Sequence, residues 1–112
     1  MITEVASITI RPGTNAEFER DVRKAVPLFE RAEGCIGMRL EQVIEDRSQY
    51  RLIVGWESVE HHTGMFRPST DFQLWRDLIS PWIAAPPSVE HSELVIGGFV
   101  RPSAEQQPML GA

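Results

Sequence analysis

Cysteine is nearly missing from this 112-residue chain. Cys35 stands alone, so no internal disulfide can form, and it reads as a small buried side chain in a reducing compartment. No apolar run approaches the roughly 20 residues that a bilayer span requires. Basic residues are few and scattered: 11 Lys and Arg against 16 Asp and Glu leave a net charge of −5. A phosphate-neutralising surface is therefore excluded, and neither a nucleic acid nor a membrane is an expected partner. His61, His62 and His91 form no HxH or HxxxH spacing, so no metal site is expected. The opening MITEVASITIRPG alternates and carries an early glutamate, unlike a signal peptide, which points to a cytoplasmic protein.

Aromatic residues are concentrated where they do occur. Tyr50 to Trp82 holds the single Tyr, all three Trp and two of the three His. This stretch reads as a buried strand (50–56), a broken helical turn (58–66) and a firm helix from about Thr70. Upstream, Ile2, Ala6, Ile8 and Ile10 alternate with Val5, Ser7 and Thr9, the pattern of a strand with one buried face. Pro12-Gly13 closes it, and Thr14 with Glu17 has capping-box spacing for a helix whose stripe is Phe18, Val22, Ala25, Val26 and Phe29. The charged residues Glu17 to Lys24, Asp21 among them, are expected to cover its outer side. Pro27 predicts a kink or an early end, and Gly34 the stop. Ile36, Met38, Leu40 and Ile44 alternate in a second strand, joined to the third by the turn residues 45–48. Thr70 with Gln73 predicts the second cap, for a helix carrying Phe72, Trp75, Leu78, Ile79 and Trp82 on one stripe. Val89 to Gly98 reads as the fourth strand.

The order β-α-β-β-α-β implies an α+β, ferredoxin-like sandwich: a four-stranded antiparallel sheet with both helices on one face. Residues 1–98 form the domain, and 99–112 a tail whose Phe99, Met109 and Leu110 are candidates to dock on a partner. The other sheet face reads as mixed, with Val5, Val43, Ile53 and either Val89 or Val95. That composition predicts a second layer, most simply another copy of the sheet, hence a homodimer.

The segments RPGT (11–14), GCIGMRLEQ (34–42), VGWES (54–58), MFRPSTDFQLW (65–75) and PSVEH (87–91) resemble the antibiotic biosynthesis monooxygenase family in pattern and order, over roughly residues 3–97. The resemblance implies a dimeric α/β barrel. It also implies one of several activities, among them cofactor-free oxygenation of polyketide phenols, haem degradation and quinol oxidation. Haem-degrading members carry an Asn, a Trp and a His where this chain matches them with Ala6, Met65 and Arg76, which disfavours that branch. Quinone-forming members match at Trp56 and Arg76 and differ at His62, which stands for an aromatic hydroxyl, and at Leu52, which stands for an Asn.

Oxygenation without a cofactor requires a substrate that is deprotonated, kept dry and stabilised as an anion. His62 has the unperturbed pKa for the proton step, and Arg76 the permanent charge for the anion. Trp56 is the third candidate catalytic residue, and Leu52, Met65, Phe66, Phe72 and Met38 are candidate substrate contacts. Each has a plainer reading. Arg76 flanks the buried stripe, where it either enters the core or lays its stem along it with the head near Asp77 or Glu60. Trp56, Met38 and Met65 equally fill the apolar layer. His61 and His62 diverge by about 100°, so at most one faces a site. His91 equally suits a hydrogen-bonded sheet position, and Tyr50 an edge. The expected function is a monooxygenase-like enzyme that takes an aromatic or polyketide-type phenol and molecular oxygen, with no cofactor. The alternatives are a proton-transfer isomerase, cyclase or decarboxylase, or a dimeric small-molecule-binding protein.

Overall fold

The structure, a computed structural model, describes residues 1–102; Met109 and Leu110 lie outside the described residues. The elements follow the expected order: β1 (Ile2–Thr9), α1 (Asn15–Glu30), β2 (Cys35–Gln42), β3 (Gln49–Trp56), a π-helical turn (His61–Phe66), α2 (Thr70–Ile79), a 3₁₀ turn (Ser80–Trp82) and β4 (Ser88–Ser92). The sheet is antiparallel throughout, in the order β2-β3-β1-β4 that the ferredoxin-like arrangement requires.

Alternation sets what lies under the helices. Ala6 and Ile8 of β1 face the same side as Tyr50, Leu52, Val54 and Trp56 of β3, and Ile10 continues that side. Phe18, Val22, Ala25, Leu28 and Phe29 of α1 and Trp75 and Ile79 of α2 close over them as one core. Each large apolar side chain fully buried in this way contributes about 1.5–3 kcal/mol. The aromatic members meet edge or face: Phe29 touches both Phe66 (5.0 Å between centroids) and Trp75 (5.2 Å), and Phe66 in turn touches Trp56 (5.4 Å) and Phe72 (5.7 Å).

Several local expectations are corrected. Thr14 does not cap α1; its hydroxyl donates to the Arg11 carbonyl instead. For α2 the cap is Ser69, one residue earlier than Thr70, and its Oγ accepts from the Phe72 amide at 3.1 Å. Helix α1 continues through Pro27 to Glu30, because the buried Leu28 and Phe29 hold its final turn against the core. Ile36 is exposed: a register irregularity between Cys35 and Gly37 turns it outward and lets Cys35 pair with Trp56 in its place. Ile44 lies beyond β2 and is exposed. Asp21 is buried rather than solvated, and Tyr50 is a core residue whose hydroxyl donates to Glu19 at 2.6 Å. Burial and the Glu19 carboxylate push its phenol pKa up.

The outer sheet face differs from its expectation too. Its strand positions carry two apolar side chains, Val5 and the buried Ile53, among Thr3, Ser7, Arg39, Glu41, Arg51 and Glu90. Val89 pairs with Ala6 and so belongs to the helix side, while Val43 and Val95 fall outside the strands. β4 ends at Ser92, and the apolar Leu94, Val95 and Ile96 beyond it are exposed.

Candidate active site

Past β1 the chain is held alongside the segment that follows α2. The Arg11 amide donates to the Trp82 carbonyl (2.7 Å), the Ala84 amide to the Thr9 carbonyl (2.8 Å), and Ile10 bridges Ile83. The Trp82 indole N–H donates to Asp21 Oδ2 at 2.8 Å, tying this segment to α1. Asp21 also accepts from Arg20, which holds its pKa down to about 2. The anchored segment, continuing to Pro87, forms one wall of a cavity of about 550 Å³ between α2 and the sheet. Ala6, Ile8 and Leu52 floor it, and Phe72, Trp75 and Ile79 form the opposite side. Its polar side chains are Glu4, His62, Arg67, Arg76 and Ser80.

At one end Glu4 and His62 meet in buried surroundings. The π-helical turn sets this geometry: the Arg67 amide donates to the His62 carbonyl five residues back, and Ser58 Oγ accepts from the His61 amide at the start. His61 and His62 diverge as expected. His61 packs over Gly34 and its Nδ1 pairs with Ser58 Oγ at 2.8 Å. Gly34 has φ +80°, and a Cβ there would lie 2.3 Å from the His61 ring, so a side chain is excluded twice over. His62 turns inward, 2% exposed, and stacks on Trp56 with 5.3 Å between centroids and 18° between planes. Its Nδ1 is 2.8 Å from His91 Nε2, and its Nε2 is 3.3 Å from Glu4 Oε1. The Trp56 indole N–H donates to that same oxygen at 2.9 Å. His91 reaches the cluster because its Cα is the cross-strand partner of Glu4 on β1.

Burial shifts the two central groups in opposite directions. Glu4 has a raised pKa, because desolvation outweighs the Trp56 hydrogen bond and the attraction of Arg67. His62 is lowered to about 4, first by desolvation, then by the charges of Arg67 and His91. Its imidazole is thus neutral at pH 7, with one N–H to give and one lone pair to receive.

Of the eight candidate residues, four meet at the cavity: Leu52, His62, Phe72 and Arg76. Trp56 and Phe66 stand behind them, Trp56 fully buried against His62 and Phe66 buried between Trp56, Phe29 and Phe72. Met65 faces outward, 44% exposed, and Met38 lies against a separate depression with Val22, Val26 and Tyr50. Neither methionine lines the cavity, which removes the geometric basis for both as substrate contacts. Glu4, Arg67 and the pairing of His91 were not singled out. Glu4 carried a usable signal: it occupies the buried phase of β1, between Ile2 and Ala6, where a charge is unusual. Among the described residues, no three His, Cys, Asp or Glu side chains are placed to hold a metal ion, and no helix is long and apolar enough to cross a membrane.

A ferredoxin-like domain with an apolar chamber between helix and sheet, and titratable groups at one end of it, defines a class of small-molecule-binding α+β proteins. The antibiotic biosynthesis monooxygenase family model matches residues 1–78, and the chain belongs to that family. The uncharacterised protein YczJ of Bacillus subtilis is 36% identical over 91 residues, 81% of this chain and 96% of that one. A crystal structure from Bordetella bronchiseptica, provisionally assigned as an antibiotic biosynthesis monooxygenase, is 47% identical, with a TM-score of 0.83 over 85% of this chain and 97% of that one. A similarly assigned structure from Caulobacter crescentus is 20% identical and shares the fold, with a TM-score of 0.74 over 85% of this chain and 90% of that one.

Proposed function

We propose that the protein is a cofactor-independent monooxygenase-like enzyme that oxidises an aromatic or polyketide-type phenol with molecular oxygen. The observation that carries this reading is the junction of a proton-handling end, Glu4 and His62, with an apolar chamber that Arg67 and Arg76 also line. The chamber suits a flat ring system, and family membership supports oxygen as co-substrate. A phenol or its keto tautomer loses a proton at the Glu4–His62 end, and the two guanidinium groups stabilise the anion. The carbanion form reduces oxygen to a hydroperoxide at carbon. Loss of water then leaves a carbonyl: a CH₂ group and O₂ become C=O and H₂O, with no external reductant. Trp56 backs His62, while Leu52 and Phe72 contact the ring.

Two copies of the chain make the working unit in this reading. The exposed apolar run Leu94–Ile96 next to the short edge strand β4, together with Val5 and Ile53 on the outer face, favours a homodimer. A cytoplasmic, reducing setting fits the single Cys35.

The test is oxygen uptake by metal-stripped protein over a panel of anthrones, hydroquinones and polyphenols. Saturable uptake that falls on Arg76→Ala is expected. No uptake by folded protein across the panel would refute oxygenation. Proton-transfer chemistry is the second reading, and a specific observation favours it: the paired Glu4 and His62 can move a proton with no oxygen present.

A further inference from the structure

Glu4 and His62 do not play the same part. Trp56 Nε1–H is a donor only, so Glu4 Oε1 accepts from it, and Oε2 is the carboxylate oxygen that this bond leaves free. No buried side-chain nitrogen or oxygen among the described residues lacks a hydrogen-bond partner, and Oε2 has none there. Oε2 is therefore not sealed in the core, and Glu4 is one of the residues that line the cavity.

The tautomer of His62 follows from its neighbours. Nε2 lies 3.3 Å from Glu4 Oε1, where a bare nitrogen lone pair would face a carboxylate oxygen and an N–H would be attracted to it. The proton thus sits on Nε2, and the remaining lone pair, on Nδ1, receives the Nε2–H of His91 at 2.8 Å. With its one lone pair taken by His91, His62 has none left to accept a substrate proton. It has an N–H beside the cavity to give.

Building on the deprotonating cavity proposed above, we propose that Glu4 is the base that takes the substrate's proton on Oε2, and that neutral His62 donates its Nε2–H to the oxyanion that forms. The substrate C–H or O–H bond breaks, its electron pair stays on the enolate or phenolate, and Glu4 passes from carboxylate to carboxylic acid. His91 is a positioning residue: it holds His62 in the donating tautomer. The opposed shifts of the two groups, Glu4 upward and His62 to about 4, suit a base and a neutral donor respectively. The groups around Glu4 are Trp56 on β3, His91 on β4, His62 on the π turn, Arg67 after it and the Cys35 thiol on β2.

The deciding experiment follows deuterium exchange into the methylene group of anthrone by NMR, in oxygen-free D₂O, with the full-length protein. Oxygen uptake on the same probe is measured separately. Glu4→Gln keeps an acceptor for Trp56, so the fold is retained, and it should slow exchange about 100-fold or more. His62→Gln should slow exchange while leaving its rise with pH in place, because that rise belongs to Glu4. Exchange at the wild-type rate in Glu4→Gln would overturn the assignment, as would wild-type protein that binds anthrone yet exchanges no faster than buffer. Glu4-dependent exchange without oxygen uptake would leave the base standing and remove oxygenation; uptake unchanged in Glu4→Gln would do the reverse. An independent check is the ¹⁵N spectrum of the histidine rings at about pH 8. His62 carrying its proton on Nδ1 would refute the donor role even if every variant misfolded.

Discussion

The indole N–H of Trp56 and the carboxylate of Glu4 meet at 2.9 Å in the core, from the last residue of β3 and the third of β1. Their strands pair so that Ile2 faces Trp56 and Glu4 faces Val54, which places both side chains on the helix side. Trp56→Phe keeps a ring against His62 and removes the donor. The buried carboxylate then loses a charge-assisted bond, and stability should fall by about 1–3 kcal/mol in urea denaturation. That bond also lowers the Glu4 pKa, so the variant's carboxyl should titrate higher still, read by ¹³C NMR. An unchanged Glu4 titration would show that the indole does not hold the carboxylate.

Acid should weaken the fold through His62 before it does so through the carboxylates. The unfolded imidazole binds its proton near pH 6.5, whereas the folded one waits until about 4. Between those values the unfolded state carries more protons, so stability falls as pH drops, by up to about 3 kcal/mol. Glu4 runs the other way. Its raised pKa contributes stability present below about 4.5 and lost as pH rises through the folded value. Asp21, lowered to about 2, contributes above its ordinary range and is lost only in stronger acid. Because Glu4 acts in both proteins, the change attributable to His62 is the difference between them: stability lost from about pH 7 to pH 5, read from urea midpoints, should be greater in the wild type than in His62→Gln, and equal changes would refute the buried neutral histidine.

One hydrogen bond controls a wall of the cavity. Trp82 Nε1–H to Asp21 anchors the segment that Arg11 and Ala84 also bond to β1 and its extension. In Trp82→Phe the ring remains and the anchor goes. Amide hydrogen exchange at Arg11 and Ala84 should quicken by about five- to tenfold, while amides in the centre of β3 stay protected. Equal acceleration everywhere would mean that the bond supports the whole domain and not this wall.

Periodicity made the element order and the sheet legible, because Ala6, Ile8, Leu52 and Val54 obey a strict alternation and Phe18, Val22 and Phe29 a helical one. It misplaced residues wherever a local device breaks the period. The irregularity at Cys35–Gly37 turned Ile36 outward, and Ser69 took the cap from Thr70 because its hydroxyl reaches the Phe72 amide. Polar residues in the core were the larger omission. Glu4, Asp21 and Tyr50 are each buried with a partner distant in sequence, Trp56, Trp82 and Glu19, and no pattern in one chain announces those pairs. His62 and Arg76, both singled out in the sequence, line one cavity. The difference between a histidine that accepts a proton and one that donates an N–H depends on which atoms lie around its two nitrogens, and that is a matter of geometry.

Arg76 offers the sharpest separation between binding and folding. It is exposed, lines the cavity with Arg67, and makes no ion pair or side-chain hydrogen bond among the described residues. Replacing it therefore removes no internal partner, and Arg76→Met, which keeps an apolar stem, should leave the urea midpoint within about 0.5 kcal/mol of wild type. Its charge has a use only when something negative enters the chamber. A flat aromatic carboxylate such as 2-naphthoate should bind the wild type and lose about tenfold in affinity in Arg76→Met, with a further loss when Arg67→Met is added. The neutral 2-naphthalenemethanol should show little difference between the proteins. Calorimetric titration reads both ligands. If carboxylate and alcohol lost affinity equally, the arginine would be acting through the shape of the wall, and its assigned role toward a substrate anion would be withdrawn.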